Sequence, residues 1–405
     1  MRASDILRQV CVSVAGHVHV ARRRMMLASV DSLVRGRRLT LTELGRGLES
    51  STTQKHRIKA MDRFLGNHRA HDDVRRWYMA LARRLLRGLG RPVVLLDWTQ
   101  TISGRSALVA AVAFSGRAIP IYAEVHHDKL LGNREVQIAF LATLATVLGA
   151  ASRPVIVADA GFKTPFFAAV RARRWDFVIR LRGKGVLRRM GRCGRHRDPR
   201  LRFSHLFASA DHKSRDIGMW TPYAAQGALG PEYRIVLAPK PKKADGKPRA
   251  DAYARRGAEP WLLATSLTQT SATAIVDLYA LRMQIELSFR DAKNGNLGWG
   301  LEHARSRGTG RQSVLLLIVC LALAATLLVG AHAERSDQAS QYQANSTRSR
   351  RVQSLYRLGV LVLAERMATI PIARFLDERQ LIRRFLRTGV QLRLPSTTLH
   401  YGQFR

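Results

Sequence analysis

Four polar side chains recur at helical spacing within one short stretch of the sequence. Tyr279, Arg282, Glu286 and Lys293 stand at offsets of 0, 3, 7 and 14 residues. On a continuous α-helix, which turns by roughly 100° per residue, these offsets place the four side chains within an arc of about 60°. Apolar residues of the same stretch fall on the adjoining face, as expected of a helix packed on a core. The spacing therefore predicts a carboxylate surrounded by a phenol and two cations. Such an arrangement suits a metal site that binds phosphate.

Two further carboxylates end apolar runs upstream of this stretch. Asp97 follows Leu95 and Leu96, and Asp159 closes the run that begins at Pro154. The end of a strand can fix a carboxylate and still expose it, and three converging carboxylates would need divalent cations to balance their charge. Oxygen ligands favour Mg²⁺ or Mn²⁺ over zinc. Two such ions about 3.5 to 4 Å apart can activate an attacking oxygen and stabilise the leaving one in an in-line displacement at phosphorus.

The segments that must position these side chains alternate between helical and strand-like patterns. Residues 5–85 are helical, with Thr40 and Glu43 as a capping box and a second helix from Thr53 to Gly66-Asn67. Periodicity beyond this point indicates only an α/β protein. Strand-like runs lie at Pro92–Leu96, Ala107–Phe114, Ala118–Val125, Pro154–Asp159 and Asp176–Leu181, with helical stretches at Asn133–Leu148 and Phe162–Arg173.

The middle of the chain loses the helical pattern. Between residues 182 and 268, short strands at Tyr233–Leu237 and Trp261–Ala264 accompany clusters of Arg and Lys. We interpret this segment as a β-rich insertion with mobile basic loops that become ordered on DNA. After residue 335 the chain is polar, Arg-rich and helical.

One apolar run is long enough to raise the question of a membrane. Val314–Ala331 spans 18 residues with Thr326 as its clearly polar member, at the lower edge of a membrane-spanning length. The run is Ala-rich and follows the helix of Glu286 closely. We therefore expect a core helix buried between a sheet and other helices, and no membrane partner.

The composition is strongly basic. The chain has 68 Lys plus Arg against 29 Asp plus Glu, a net charge of +39 spread along its whole length. Such an excess would repel itself without a polyanion, so nucleic acid is the expected partner. A ribosome-associated protein would explain the charge equally well but would leave the three acids without a role.

The cysteine content and the N-terminus indicate the cellular compartment. Cys11, Cys193 and Cys320 form no Cys-x-x-Cys pair, which argues against a disulfide framework or a structural zinc site. The N-terminus lacks a signal-peptide pattern. We expect a cytoplasmic protein; the resemblance described below implies a bacterial one associated with the nucleoid.

The pattern Y-(2)-R-(3)-E-(6)-K resembles the signature of bacterial insertion-sequence transposases of the DDE type, in the family named after insertion sequence four. Between about residues 39 and 359, further segments agree with this family in order. The N-terminal segments look particularly like those of the transposase of transposon ten. The matching segments are Thr40–Gly45, Lys55–Lys59 with Asp62–Asn67, Leu95–Trp98, Gly116–Pro120, Val157–Lys163 and Glu259–Thr265.

This resemblance implies roles for particular side chains. Asp97, Asp159 and Glu286 would be the catalytic metal ligands, with two Mg²⁺ ions that Mn²⁺ can replace. Tyr279, Arg282 and Lys293 would bind phosphates beside the scissile bond. Trp261 would stack on a base flipped out near a DNA hairpin, although a Trp that opens an apolar strand is ordinarily a core residue.

The resemblance also implies an architecture and a reaction. A ribonuclease H-like catalytic core, at residues 89–181 and 269–338, would carry the β-rich insertion at 182–268. A helical DNA-binding domain at 1–88 would recognise the terminal inverted repeats, and a helical region at 339–405 would contribute to dimerisation. A homodimer would nick double-stranded DNA at each element end, form and open hairpins, and join the ends to target DNA.

The remaining polar candidates are weaker. Lys55, Lys59 and Arg63 make a basic stripe on the second helix, which is either a solvated face or, by resemblance, part of the recognition of DNA ends. We assign no catalytic role to His126, His127 and His303.

Two other functions stay open at this level. A DNA-binding repressor descended from a transposase would no longer need the three acids. A structure-specific nuclease of ribonuclease H type would keep the cleavage chemistry but would have no need of the N-terminal helices.

Overall fold

The computed structural model describes residues 2–36, 38–101, 104–189, 200–223, 230–240, 259–295, 298–343, 346–347, 351–365, 392–393 and 398–399. The chain forms two compact units. The first unit comprises Met1–Ser152 and Met283–Leu386, and the second comprises Arg153–Arg282 and Arg387–Arg405. Cys193, most of the predicted basic loops and most of the predicted C-terminal region lie outside the described residues.

The described α-helices are α1 (Ala3–Val10), α2 (Val20–Gly36), α3 (Leu41–Arg46), α4 (Gln54–Leu65), α5 (His68–Leu85), α6 (Arg134–Leu148), α7 (Thr164–Ala172), α8 (Phe203–Ala208), α9 (Ala272–Ala280), α10 (Met283–Lys293), α11 (Thr309–Arg335) and α12 (Leu355–Ala364). The described strands are β1 (Val93–Gln100), β2 (Arg105–Phe114), β3 (Arg117–His127), β4 (Val155–Ala158), β5 (Asp176–Leu181), β6 (Val186–Arg188), β7 (Arg200–Arg202), β8 (Arg215–Pro222), β9 (Tyr233–Leu237), β10 (Leu262–Thr265), β11 (Leu392–Arg393) and β12 (Thr398–Leu399).

The N-terminal helices of the first unit begin and end where local signals predict. The Thr40 hydroxyl accepts a hydrogen bond from the backbone N–H of Glu43 at 3.2 Å and caps α3. Thr53 caps α4 in the same way, and Gly66 follows the last residue of that helix. Side chains at these caps satisfy N–H groups that the first helical turn leaves unpaired, so the predicted helix boundaries are confirmed.

Strands β1, β2 and β3 form antiparallel pairs in the first unit. The turn between β2 and β3 consists of Ser115 and Gly116, both with positive φ, at 48° and 87°. Two residues with positive φ match the right-handed twist of the strands that they join. The tight turn sets the register in which Phe114 faces Arg117.

Helix α11 is the core of the first unit. It contacts α2, α5, α12 and β3. By length and composition it is the one described helix that could cross a membrane, yet its 18-residue apolar window is entirely buried inside the protein. A helix that is apolar on every side needs neighbours all around it, and the expectation of a buried core helix is confirmed.

The second unit is built on a mixed sheet in the order β4-β5-β10-β9-β8-β6-β7. Strands β4 and β5 are parallel, whereas β10 runs antiparallel to both β5 and β9. Helix α9 packs on this sheet. The short helix α8 lies inside the segment where the sequence indicates no helix.

The predicted order of three strands followed by helix, strand, helix and strand is present in β1–β3, α6, β4, α7 and β5. This mixed α/β arrangement is compatible with the ribonuclease H-like core that the resemblance implies.

The prediction of one continuous helix through Tyr279 and Lys293 is wrong. Helix α9 ends at Ala280 and α10 begins at Met283. At the junction the backbone N–H of Arg282 donates to the carbonyl of Tyr279, three residues back, at 3.0 Å. Neither Gly nor Pro interrupts the stretch, but α9 packs on strands of the second unit and α10 on strands of the first. Tertiary packing therefore overrides helix propensity.

Candidate active site

Asp97 lies within β1 rather than at its end, where the sequence analysis puts it. The strand continues to Gln100, and Asp97 pairs in register with Val109 of β2. Leu95 and Leu96 before it are fully buried, whereas Asp97 is half-buried. Asp97 is therefore partly accessible within an otherwise mostly buried strand, as a metal ligand that must reach substrate would be.

Helix α10 is held against the β2–β3 turn by a polar stripe that is not part of the signature. The side-chain oxygen of Gln284 accepts from the backbone N–H of Phe114 at 3.1 Å. The Ser288 hydroxyl accepts from the N–H of Ala118 at 2.7 Å and donates to its carbonyl at 3.0 Å. Together with an ion pair between Asp291 and Arg117, these bonds fix the rotation of the helix.

That rotation determines where the signature residues of α10 lie. At roughly 100° per residue, Glu286 and Lys293 stand about 20° apart, on the side of the helix away from Gln284, Ser288 and Asp291. Both are half-buried. The helix also contacts β1, the strand that carries Asp97. Of the four residues predicted to share one helix face, only Glu286 and Lys293 do so, because Tyr279 belongs to the other helix.

Asp159 directly follows β4 in the second unit, so its predicted position at a strand end is confirmed. Its Oδ1 accepts from the backbone N–H of Gly161 at 2.9 Å. A Cβ at Gly161 would stand only 3.0 Å from that oxygen. The glycine thus allows a tight turn that orients the carboxylate.

Tyr279 is the centre of a charged cluster in the second unit. Burial raises the pKa of its phenol, the nearby charges of Arg282 and Arg180 offset part of that rise, and the charge of Asp159 adds to it. The Arg282 guanidinium lies 6.0 Å from the centre of the Tyr279 ring. One carboxylate and two guanidinium groups are therefore within electrostatic reach of the Tyr279 phenol.

Trp261 belongs to the same cluster. It precedes β10, is half-buried, and places its ring 4.8 Å from that of Tyr279, centre to centre. Its backbone carbonyl accepts from the N–H of Ala238 at 2.7 Å. The structure thus brings Trp261, Tyr279, Arg282 and Asp159 together within the second unit.

The sequence pattern did not predict a role for Arg180 or Glu259, which also belong to this cluster. Arg180 on β5 lies 3.2 Å from the carboxylate of Glu259, which is also 3.4 Å from Arg182. Arg180 interrupts an otherwise buried apolar strand. A charge at such a position is costly without a partner, and this was the signal that could have identified it.

The basic stripe and the histidines lie elsewhere. Lys55, Lys59 and Arg63 are all exposed on α4. His126 lies 3.3 Å from Glu124, and His127 accepts a hydrogen bond from the backbone of Lys129 at 3.3 Å.

The predicted metal ligands are divided between the units: Asp97 and Glu286 belong to the first and Asp159 to the second. Among the residues that the structure describes, no group of three or more His, Cys, Asp or Glu side chains could hold a metal ion. The convergence of the three carboxylates stays a prediction. Their hard oxygen donors fit Mg²⁺ or Mn²⁺ by chemistry.

Comparison with known proteins finds a family model that spans this part of the chain. Residues 91–325, more than half of the chain, match a family model described as Transposase DDE domain. The matched range includes the three acids and the Tyr279 cluster. No curated protein matches the chain.

Proposed function

We infer that this chain, which belongs to the transposase DDE-domain family, catalyses cut-and-paste transposition of a bacterial insertion sequence of the insertion sequence four family. Family membership makes it a metal-dependent transposase that acts on DNA. The observation that best supports the finer assignment is the cluster of Asp159, Tyr279, Arg180 and Arg282. It combines a carboxylate with groups that bind phosphate oxygens.

Asp97, Asp159 and Glu286 would hold two Mg²⁺ ions, which Mn²⁺ can replace. When bound, such ions lower the pKa of an attacking water or hydroxyl and neutralise charge on the leaving oxygen. The half-buried position of Asp97 and the turn at Gly161 that orients Asp159 support these roles. The polar stripe of α10 supports the role of Glu286, because it fixes the side of the helix on which Glu286 lies.

Four side chains would position the phosphates next to the bond that is cut. Arg282 and Arg180 offer planar guanidinium groups that bind phosphate oxygens in pairs, and Lys293 supplies a point charge. Burial raises the pKa of the Tyr279 phenol, which further favours its protonated form. Tyr279 can therefore donate a hydrogen bond to a phosphate oxygen.

The reaction would proceed by successive displacements at phosphorus. Water cleaves one strand at each element end, and the freed 3′-OH attacks the opposite strand to close a hairpin. A second water opens the hairpin, and the 3′-OH finally attacks target DNA with release of a target 3′-OH. Trp261 would stack on the base that is flipped out near the hairpin.

Assembly would join two copies on two DNA ends. The helices of residues 1–88, with the exposed Lys55, Lys59 and Arg63, would recognise the terminal inverted repeats. The core at 89–181 and 269–338, the insertion at 182–268 and the helical region at 339–405 would make up the rest of a homodimer that acts in the bacterial nucleoid.

The test is excision of a marked element by purified protein in Mg²⁺. Asp97→Ala and Glu286→Ala should each reduce cleavage more than a thousandfold, while binding to duplex DNA in a gel-shift assay stays near the wild-type level. Asp72→Ala is the matched control, because Asp72 is an exposed carboxylate of the first unit. Wild-type cleavage by either variant would refute the assignment. Cleavage without joining to target DNA would instead favour a nuclease.

A further inference from the structure

The first unit contains an open cavity of about 660 Å³ that the proposed chemistry does not use. One wall comes from the start of α3 and a side of α4, and the other from the chain between α10 and the start of α11. Arg305, Arg307 and Arg311 line the cavity together with His303 and Asp62. Two distant parts of the sequence thus enclose a basic cavity.

The cavity carries surplus positive charge. Arg305 and Arg307 are exposed, and neither forms an ion pair with a side chain that the structure describes. Arg311 differs, since its guanidinium lies 2.5 Å from the carboxylate of Asp62. The acid of the cavity is already neutralised, which leaves two arginines for a ligand.

A hydrogen bond and an ion pair join the two walls. The backbone N–H of Leu39, just before α3, donates to the carbonyl of Trp299 at 2.9 Å, and Arg311 pairs with Asp62 of α4. Within the second wall, the side chain of Gln312 donates to the carbonyl of Ser306 at 3.1 Å, and Gly310 packs closely on His71 of α5. A preformed site loses less conformational entropy when a ligand binds.

The side chains of the cavity select for phosphate. Arginine binds phosphate oxygens through parallel N–H groups. Thr42 and Ser306 add hydroxyl groups to the lining, and Ser and Thr hydroxyls commonly contact the DNA backbone.

The position of the cavity on α4 indicates which phosphate it takes. Asp62 and Lys55 are seven residues apart on this helix, about 20° apart around its axis, so the exposed basic stripe leads to the cavity. We propose that the cavity binds a backbone phosphate of double-stranded DNA, distinct from the phosphate that is cut. This inference rests on the proposed transposase function, since it assigns a further contact to the same DNA substrate.

The experiment measures duplex affinity of the full-length protein as a function of salt, with a chelator present so that no cleavage occurs. The double variant Arg305→Ala/Arg307→Ala should bind about tenfold more weakly in moderate salt. Its plot of log affinity against log salt should be shallower by about 1 or more, the change expected when a phosphate contact is lost. Arg305→Lys/Arg307→Lys should recover much of the slope.

The matched control is Arg87→Ala, which removes an exposed arginine of the first unit that lies outside the cavity. It should leave the salt slope within error of wild type. Thermal unfolding of each variant checks that the fold is intact. An unchanged slope in the folded double variant would overturn the proposal, and so would an equal loss in the control.

Inorganic phosphate is the second probe. If the cavity variants abolish stabilisation by inorganic phosphate in thermal unfolding but keep the wild-type DNA slope, the cavity binds free phosphate and the DNA assignment is wrong. A different result would contradict the proposed function. If the protein binds duplex DNA through this cavity but never cleaves it in Mg²⁺, the catalytic assignment is wrong and the cavity proposal stands.

Discussion

Trp261 meets Tyr279 at an angle, with ring centres 4.8 Å apart and ring planes inclined by 68°. The two rings are therefore not stacked face to face, and Trp261 is only half-buried. An aromatic ring held firmly by one neighbour can accept a flipped base on a free face, which compensates about 1 to 3 kcal/mol of unstacking.

We therefore predict that Trp261→Ala slows hairpin formation about tenfold, while first-strand nicking and duplex binding stay near wild type. Trp261→Phe should keep part of the activity. The measurement is the ratio of hairpin to nicked product, together with the fluorescence of 2-aminopurine placed at the flipped position. Equal loss of nicking and hairpin formation would indicate a role in packing only.

Glu259 pairs with two arginines, one of which, Arg180, belongs to the Tyr279 cluster. Its carboxylate lies 3.2 Å from Arg180 and 3.4 Å from Arg182. In the proposed function, DNA phosphate would compete with this carboxylate for the guanidinium groups. Glu259→Gln should therefore strengthen duplex binding, by about threefold if the partly exposed pairs contribute energies typical of such pairs.

Glu232→Gln is the control for this variant, since Glu232 is an exposed acid of the same unit. Both changes remove one negative charge, but only the first releases Arg180 and Arg182. Gel-shift titration of both variants at one salt concentration separates a local from a general charge effect. Identical gains in the two variants would contradict the prediction.

Local sequence signals were sufficient for much of the secondary structure. Strands Asp176–Leu181 and Tyr233–Leu237 have the predicted bounds, because each is a short run rich in aromatic and β-branched residues. Helix α4 begins after Thr53 and ends before Gly66, because both residues have specific capping chemistry.

Long-range packing accounts for what the sequence analysis missed. The helix break at Leu281 and Arg282 contains no Gly or Pro from which it could be predicted. It follows from the different surfaces on which α9 and α10 pack. The Arg180–Glu259 pair joins residues that are 79 positions apart, so spacing within one segment could not reveal it. The same limit applies to the convergence of Asp97, Asp159 and Glu286, which stays a prediction.

Glu124 should make the stability of the first unit depend on pH. Burial opposes its ionisation, but hydrogen bonds with His126 and Tyr122 outweigh burial and hold its pKa below the ordinary value of 4.5. A carboxyl with a lowered folded pKa stabilises the fold above the pKa of the unfolded chain. That contribution is lost as the pH falls through the folded pKa.

Glu124→Gln should therefore be less stable than wild type at pH 6, and the difference should shrink as the pH falls below about 4.5. Urea unfolding at a series of pH values measures this difference. Asp72→Asn, at an exposed position of the same unit, should change little at any pH. A gap between Glu124→Gln and wild type that is constant down to pH 3 would mean that lost packing, rather than lost charge, explains the effect.

The crossing of α11 and α12 depends on two glycines. A Cβ at Gly359 would overlap the backbone carbonyl of Thr326, and a Cβ at Gly330 would overlap that of Leu355. Because both obstacles are backbone atoms, no side-chain rotation relieves the overlap, and the helices must move apart. We predict that Gly359→Ala lowers the free energy of unfolding by about 1 to 3 kcal/mol, the usual cost of overpacking a core.

Gly36→Ala is the matched control, since a Cβ at Gly36 meets no atom within 4 Å. Alanine also favours the helix more than glycine does, so this variant should be as stable as wild type or slightly more stable. Urea unfolding followed by far-UV circular dichroism measures both variants. If Gly359→Ala matched Gly36→Ala, the close contact between the helices would not exist in solution. Since α11 also contacts β3, a genuine loss should extend to the three-stranded part of the unit that carries Asp97.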